Sequence, residues 1–192
     1  MADELFLSYK LNGFTPANML RHYEKMLRLF PYSRLAKSPA TFRVIPVSFA
    51  EPAVAEEAIE LPGQLDVVIQ EANEFRNPDS CYRLETAWDL WQFDADWSIA
   101  PARASLNCFG PDFEDAPMEE GLPDQLQIEF GPDIVFLPDA SLPNGTRMAQ
   151  SNIKSLLKLV HDLDNALNVD ERRLWSESSE NFADRLQQAL EE

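Results

Sequence analysis

Histidine and cysteine are scarce in this chain of 192 residues, at two of each. His22 and His161 belong to no His-x-x-x-His or His-Glu-x-x-His pair, and Cys81 and Cys108 stand far apart, so the ligand spacing of a zinc site is missing. Two thiols are also too few for a secreted disulfide scaffold, and without flanking signatures of thiol enzymes they read as small buried hydrophobes. Glycine is equally sparse, with 6 residues, none in a Gly-x-Gly-x-x-Gly pattern or before Lys-Ser/Thr. A glycine-rich phosphate cradle is thereby excluded, and no metal or nucleotide cofactor is expected. No Gly-x-Ser-x-Gly nucleophile elbow occurs. Basic residues number 16 against 33 acidic ones, a formal charge of −17. Nucleic acid is not the expected ligand, because binding the phosphate backbone requires a basic footprint.

No run approaches the ~18 apolar residues of a membrane span. The opening Met-Ala-Asp-Glu-Leu-Phe-Leu-Ser-Tyr-Lys lacks the positive region of a signal peptide. The reading is a cytoplasmic protein with reduced thiols, in which Asn144-Gly145-Thr146 is a turn rather than a glycosylation site. Asp162-Leu-Asp164-Asn165 falls within a helical pattern and lacks the glycine and glutamate of a calcium loop.

What is present is acidity concentrated in the middle of the chain. Residues 1–50 carry seven basic and three acidic side chains, residues 51–141 three and 21, and residues 142–192 six and nine. The densest stretch is Gly110–Asp124, with six carboxylates among prolines and glycines, which reads as an exposed loop. The length fits one α+β domain over 1–192.

Residues 1–93 show an ordered change of periodicity. Leu5, Leu7, Tyr9 and Leu11 alternate as a strand, and Thr15-Pro16 supplies an N-cap and a proline at the first helical position. Met19, Leu20, Tyr23, Met26, Leu27 and Phe30 form one helical stripe that Pro31 ends, with Arg21, Lys25 and Arg28 on its solvated side. Phe42–Phe49 reads as a second strand and Ala53–Leu61 as a weaker third. Leu65, Val68, Ile69, Ala72 and Phe75 then repeat at helical spacing, and Tyr82, Leu84, Trp88 and Leu90 share a face of a long fourth strand. The order β-α-β-β-α-β is that of a ferredoxin-like half. Pro46 supports this by fitting the edge position that the second strand holds in the ferredoxin-like strand order 4-1-3-2.

Residues 94–140 read as added antiparallel strands around the acidic loop 110–124. One runs over Ile99–Phe109 as a hairpin on the fourth, and another is marked by Leu126, Ile128 and Phe130. A tight turn at Gly131-Pro132-Asp133 leads into Ile134–Leu137. Residues 141–192 read as a C-terminal helical pair. Ile153, Leu156, Leu157, Val160, Leu163 and Leu167 mark the first helix, and Phe182, Leu186 and Leu190 the second, capped by Ser178 and Ser179. Trp175 is expected to anchor their junction in the core.

Two functional expectations follow. One is a non-enzymatic interaction module in which Asp112, Glu114, Asp115, Glu119, Glu120 and Asp124 capture a basic partner protein, since exposed charge steers association. The other is a small-molecule-binding or carboxylate-dependent site on the second face of the sheet, where the fourth strand places Arg83, Glu85, Asp89 and Trp91. Phe6, Ser8 and Lys10 from the first strand and Arg103, Ser105 and Asn107 from the fifth share that face. Trp91 and Phe93 set it apart from an ordinary wet face, because large exposed aromatics often mark an interface.

Overall fold

A computed structural model describes residues 2–178 and 182–191. Its elements run in chain order β1 (Glu4–Leu11), α1 (Met19–Leu29), β2 (Ala40–Pro46), β3 (Ala55–Ile59), α2 (Leu65–Glu74), β4 (Ser80–Phe93), β5 (Trp97–Phe109), β6 (Met118–Glu119), β7 (Leu122–Pro123), β8 (Leu126–Pro132), a 3-10 turn (Asp133–Phe136), α3 (Gly145–Ala166), β9 (Val169–Ser176) and α4 (Phe182–Glu191). Seven strands form one sheet in the order β3-β2-β4-β5-β8-β1-β9, and β6-β7 is a separate small hairpin. Every pairing in the large sheet is antiparallel. The protein is thus α+β, with four helices against a large antiparallel sheet.

The alternation in the strands decides which face is dry. Leu5, Leu7 and Tyr9 of β1, Tyr82, Leu84, Trp88 and Leu90 of β4, and Leu126, Ile128 and Phe130 of β8 are buried on the face that the helices cover. Met19, Tyr23, Met26 and Leu27 of α1 and Ile153, Leu156 and Leu163 of α3 complete that core. Tyr23 donates its hydroxyl to the Leu106 carbonyl at 2.8 Å, which satisfies a polar atom carried into this layer, whereas the Trp88 indole nitrogen is buried there without a hydrogen-bond partner.

The ferredoxin-like strand order is not what the chain adopts. β4 turns by a hairpin into β5, in register from Cys81↔Phe109 to Phe93↔Trp97, and β5 takes the side of β4 that β1 would need. β1 lies instead between β8 and β9. β2 is internal, between β3 and β4, and β3 holds the edge. Pro46 is tolerated for a local reason. The Val47 N–H bonds the Asp79 carbonyl on the β4 side, so by alternation position 46 faces the β3 side, where pairing has already stopped at Val44↔Ala55. The strand ends there, short of Phe49, because Val47 takes a positive φ of 64°.

Other boundaries moved as well. Thr15–Asn18 is a turn in which the Asn18 Oδ1 accepts the Thr15 N–H at 2.8 Å, and α1 begins after it. Ile134–Leu137 does not extend the sheet, since Asp133–Phe136 is the 3-10 turn. The C-terminal pair is helix, strand, helix. β9 was missed, and Trp175 sits on it rather than at a helical junction in the core, stacked on Phe6 at 4.4 Å with its indole N–H donated to Ser8 Oγ at 3.0 Å. Ser178 bonds Asp3, and Ser179 lies outside the described residues.

The stretch Gly110–Asp124 is not a free loop. Asp112 N–H bonds the Pro78 carbonyl and Glu114 N–H the Val47 carbonyl, both at 2.8 Å. Phe113 and Ala116 are buried with Cys81 and Phe109. The β6-β7 hairpin turns through Glu120 and Gly121, both at positive φ, as two-residue hairpins require. The segment folds back over one end of the second sheet face.

Candidate functional site

On the second face, side chains line up in transverse rows. One runs Glu56, Arg43, Arg83, Asn107, Gln127, Ser8, Arg173 across all seven strands, and the next contains Thr41, Glu85, Ser105, Glu129, Phe6 and Trp175. Cross-strand neighbours of this kind lie close enough for long side chains to meet. Arg43 binds Glu56 at 2.6 Å and Glu85 at 2.7 Å, and Arg83 binds Glu129 at 3.1 Å and reaches Glu85 at 3.5 Å. The face is not open along its midline. Ser8, Ser105 and Asn107 are each 1% exposed, with the Arg83 guanidinium 6.0 Å from the Phe49 ring and Arg173 5.3 Å from that of Trp175.

Arg83, Glu85, Asp89 and Trp91 share β4, yet they are not brought together. β2 pairs with β4 only as far as Thr41↔Glu85, while β4 continues to Phe93. The unpaired edge of its second half borders three clefts in succession. Glu85 lines the first, Asp89 the second and Trp91 the third. Arg83 lies in the ion-pair row instead. Asp89 accepts the Ser33 hydroxyl at 2.5 Å and the Arg34 N–H at 2.9 Å, and Ser33 N–H bonds the Ala87 carbonyl at 2.8 Å. Its visible task is to fasten the segment after α1 against the strand edge.

The first cleft, of about 470 Å³, lies between that segment, Glu60-Leu61 and the β4-β5 strands. Arg103 enters it with a side chain 69% exposed, and its nearest carboxylate is Glu85 at 4.0 Å. Glu85 is already held by Arg43, which leaves the Arg103 donors largely unspent. Lys37 lines the same cleft and has no ion-pair partner among the described residues, and Ser38, Thr41 and Thr86 add hydroxyls. Glu60 lines it as well. Lys37 was not marked as a site residue by any sequence pattern, because a lone lysine after a helix carries no spacing signal.

The arrangement offers binding groups, and the Ser33 hydroxyl that donates to Asp89 at the border of the first cleft also accepts the Leu35 and Ala36 N–H groups. Burial holds the Cys108 thiol well above its usual range and pushes that of Cys81 up to about 12, so neither is a thiolate near neutrality. The two face opposite sides of the sheet and are free thiols. Among the described residues no group of three His, Cys, Asp or Glu side chains could hold a metal ion. No described helix is long and apolar enough to cross a membrane.

The six acidic-loop residues divide. Asp124 is 1% exposed and takes both its oxygens to Arg173, at 2.9 and 3.0 Å, and Glu119 meets the same guanidinium at 2.5 Å. Burial raises the Asp124 carboxyl from its ordinary value, against the lowering pull of Arg173 and Ser8. Asp115 accepts the Phe49 N–H at 2.7 Å. Asp112, Glu114 and Glu120 are exposed.

Comparison of the chain with protein-family models, with curated proteins and with solved structures gives no match.

Proposed function

We propose that the protein is a small-molecule-binding protein whose principal ligand is a small anion, a carboxylate or phosphate bearing hydroxyl groups, held in the first cleft. The observation that carries this reading is the pair of cations Arg103 and Lys37 lining this one cleft of a strongly acidic chain. A guanidinium fork matches a carboxylate or phosphate in two hydrogen bonds, and the hydroxyls around it fix orientation. Thermal shift and calorimetry with inorganic phosphate, a sugar phosphate and a short dicarboxylate test it. A saturable rise in midpoint that Arg103→Gln and Lys37→Gln each remove supports the reading, and no response to any of the three overturns it.

A second reading is supported by the docked acidic segment, which presents Asp112, Glu114 and Glu120 without compensating cations. Such a surface suits a basic partner protein. Its association would slow steeply with salt, since steering by exposed charge is screened beyond about 8–10 Å. A lysine-rich peptide whose binding is unchanged when the three are replaced by Asn or Gln rules this reading out.

A further inference from the structure

The third cleft has a chemistry opposite to the first. It encloses about 280 Å³ at the tip of the β4-β5 hairpin, and Trp91, Phe93, Trp97, Ile134, Leu137 and Asp139 are among the residues that line it, with no lysine or arginine. Phe93 and Trp97 are direct cross-strand partners, with ring centroids 5.3 Å apart and planes at 63°, so their faces form a corner rather than a stack. The Trp97 indole N–H donates to the Pro143 carbonyl at 2.6 Å, which fixes the ring by its edge. The Trp91 backbone is clamped by Asn152 of α3, at 2.9 Å through both its N–H and its carbonyl. Asp139 supplies one carboxylate, oriented by the Ser141 N–H at 2.9 Å and by the Ser141 hydroxyl.

We propose that this cleft binds an alkylated ammonium group, with the rings of Trp91, Phe93 and Trp97 around the cation and Asp139 as its counter-charge. Aromatic faces carry negative potential and attract a cation whose hydration is weak, and methylated ammonium is such a cation. A neutral apolar group would use the rings and the aliphatic floor but nothing of Asp139. The Ser141 hydrogen bonds lower the Asp139 carboxyl from its usual range and keep it ionised, and the net charge of −17 enriches cations near the surface. Pro143 holds the Trp97 ring and Asn152 holds the Trp91 backbone in advance, which lowers the ordering cost of binding.

The experiment titrates the full chain with choline and with its carbon isostere, in which carbon replaces the quaternary nitrogen, followed by tryptophan fluorescence and calorimetry. Choline is expected to bind saturably and about tenfold tighter than the isostere, the factor that a desolvated cation–aromatic contact gives. Asp139→Asn retains an acceptor for Ser141 and is expected to weaken choline but not the isostere, narrowing the difference between them, while Trp97→Leu weakens both. Circular dichroism confirms that each variant is folded, and should Trp97→Leu fail to fold, Asp139→Asn decides alone. Equal binding of choline and isostere by the parent chain, choline binding that Asp139→Asn leaves unchanged, or no saturable signal overturns the proposal. Because neither probe is an anion and neither variant touches the first cleft, the outcome is separate from that for Arg103 and Lys37.

Discussion

The side-chain amide of Asn152 does for Trp91 what an adjacent strand would do. Its Oδ1 accepts the Trp91 N–H and its Nδ2 donates to the Trp91 carbonyl, both at 2.9 Å, and the same Nδ2 reaches the Val135 carbonyl at 2.8 Å. Asn152 is 2% exposed. One residue of α3 therefore closes part of the strand edge that β2 leaves uncovered and ties the helix and the 3-10 turn to it. A buried backbone group without a partner costs about 1–3 kcal/mol. Asn152→Leu is expected to lower unfolding free energy in urea by about 2–4 kcal/mol, more than the loss of one ordinary hydrogen bond. A change under 1 kcal/mol would show that water replaces the amide.

Arg173 and Asp124 form a second test of coupling. Removing one member of a buried ion pair costs about 3–5 kcal/mol, while replacing both with apolar groups is often neutral. Arg173→Met and Asp124→Leu should each destabilise strongly, and the double variant less than their sum. Additive losses would show that the pair contributes no coupling.

Val47 holds a positive φ of 64° that a β-branched residue rarely adopts. Its backbone is committed on both sides, with the N–H on the Asp79 carbonyl and the carbonyl on the Glu114 N–H. Val47→Gly relieves the steric cost and is expected to raise stability by about 1 kcal/mol. A lower thermal midpoint in that variant would count against strain at this position.

The pH dependence has a definite sign. Burial raises the carboxyls of Asp133 and Glu4, the latter helped by Glu129, and it also raises Asp124. A carboxyl raised on folding gives stability that is fully present below the ordinary value of about 3.9–4.3 and is lost as pH rises through the raised value. Glu171, lowered chiefly by its hydrogen bond from Lys10, acts in the other direction and loses its contribution as pH falls. The thermal midpoint should fall as pH rises above about 4, and Asp133→Asn should flatten that slope. A slope unchanged in the variant would remove Asp133 from the account.

Much of the local structure was legible, because α1, α3 and β4 carry long apolar series whose spacing matches their period. β9 was not. Its sequence Val-Asp-Glu-Arg-Arg-Leu-Trp-Ser is dominated by charges, and half of its pattern becomes meaningful only once Trp175 is seen on Phe6 and Arg173 on Asp124. Strand order was hidden for a different reason: alternation says which face a residue takes and nothing about which strand lies beside it. Pro46 pointed to an edge strand when it marked only a strand end. Of the candidate sites, Glu85 and Trp91 were visible as residues of one face, but their separation into different clefts depends on β2 stopping halfway along β4. Asp139 and Lys37 belong to loops without periodicity, and only folding places them near strands.

The position of β1 between β8 and β9 has a consequence for how the chain is made. Its hydrogen-bonding partners begin at Leu126 and end at Ser176, so on the ribosome β1 emerges long before either neighbour exists. At roughly 5–20 residues per second, this apolar segment spends several seconds with both edges unpaired. The α1-β2-β3-α2-β4-β5 portion can associate during that interval through contacts near in sequence. Closure of the sheet around β1 must then wait for both neighbours, as a slow step of high contact order.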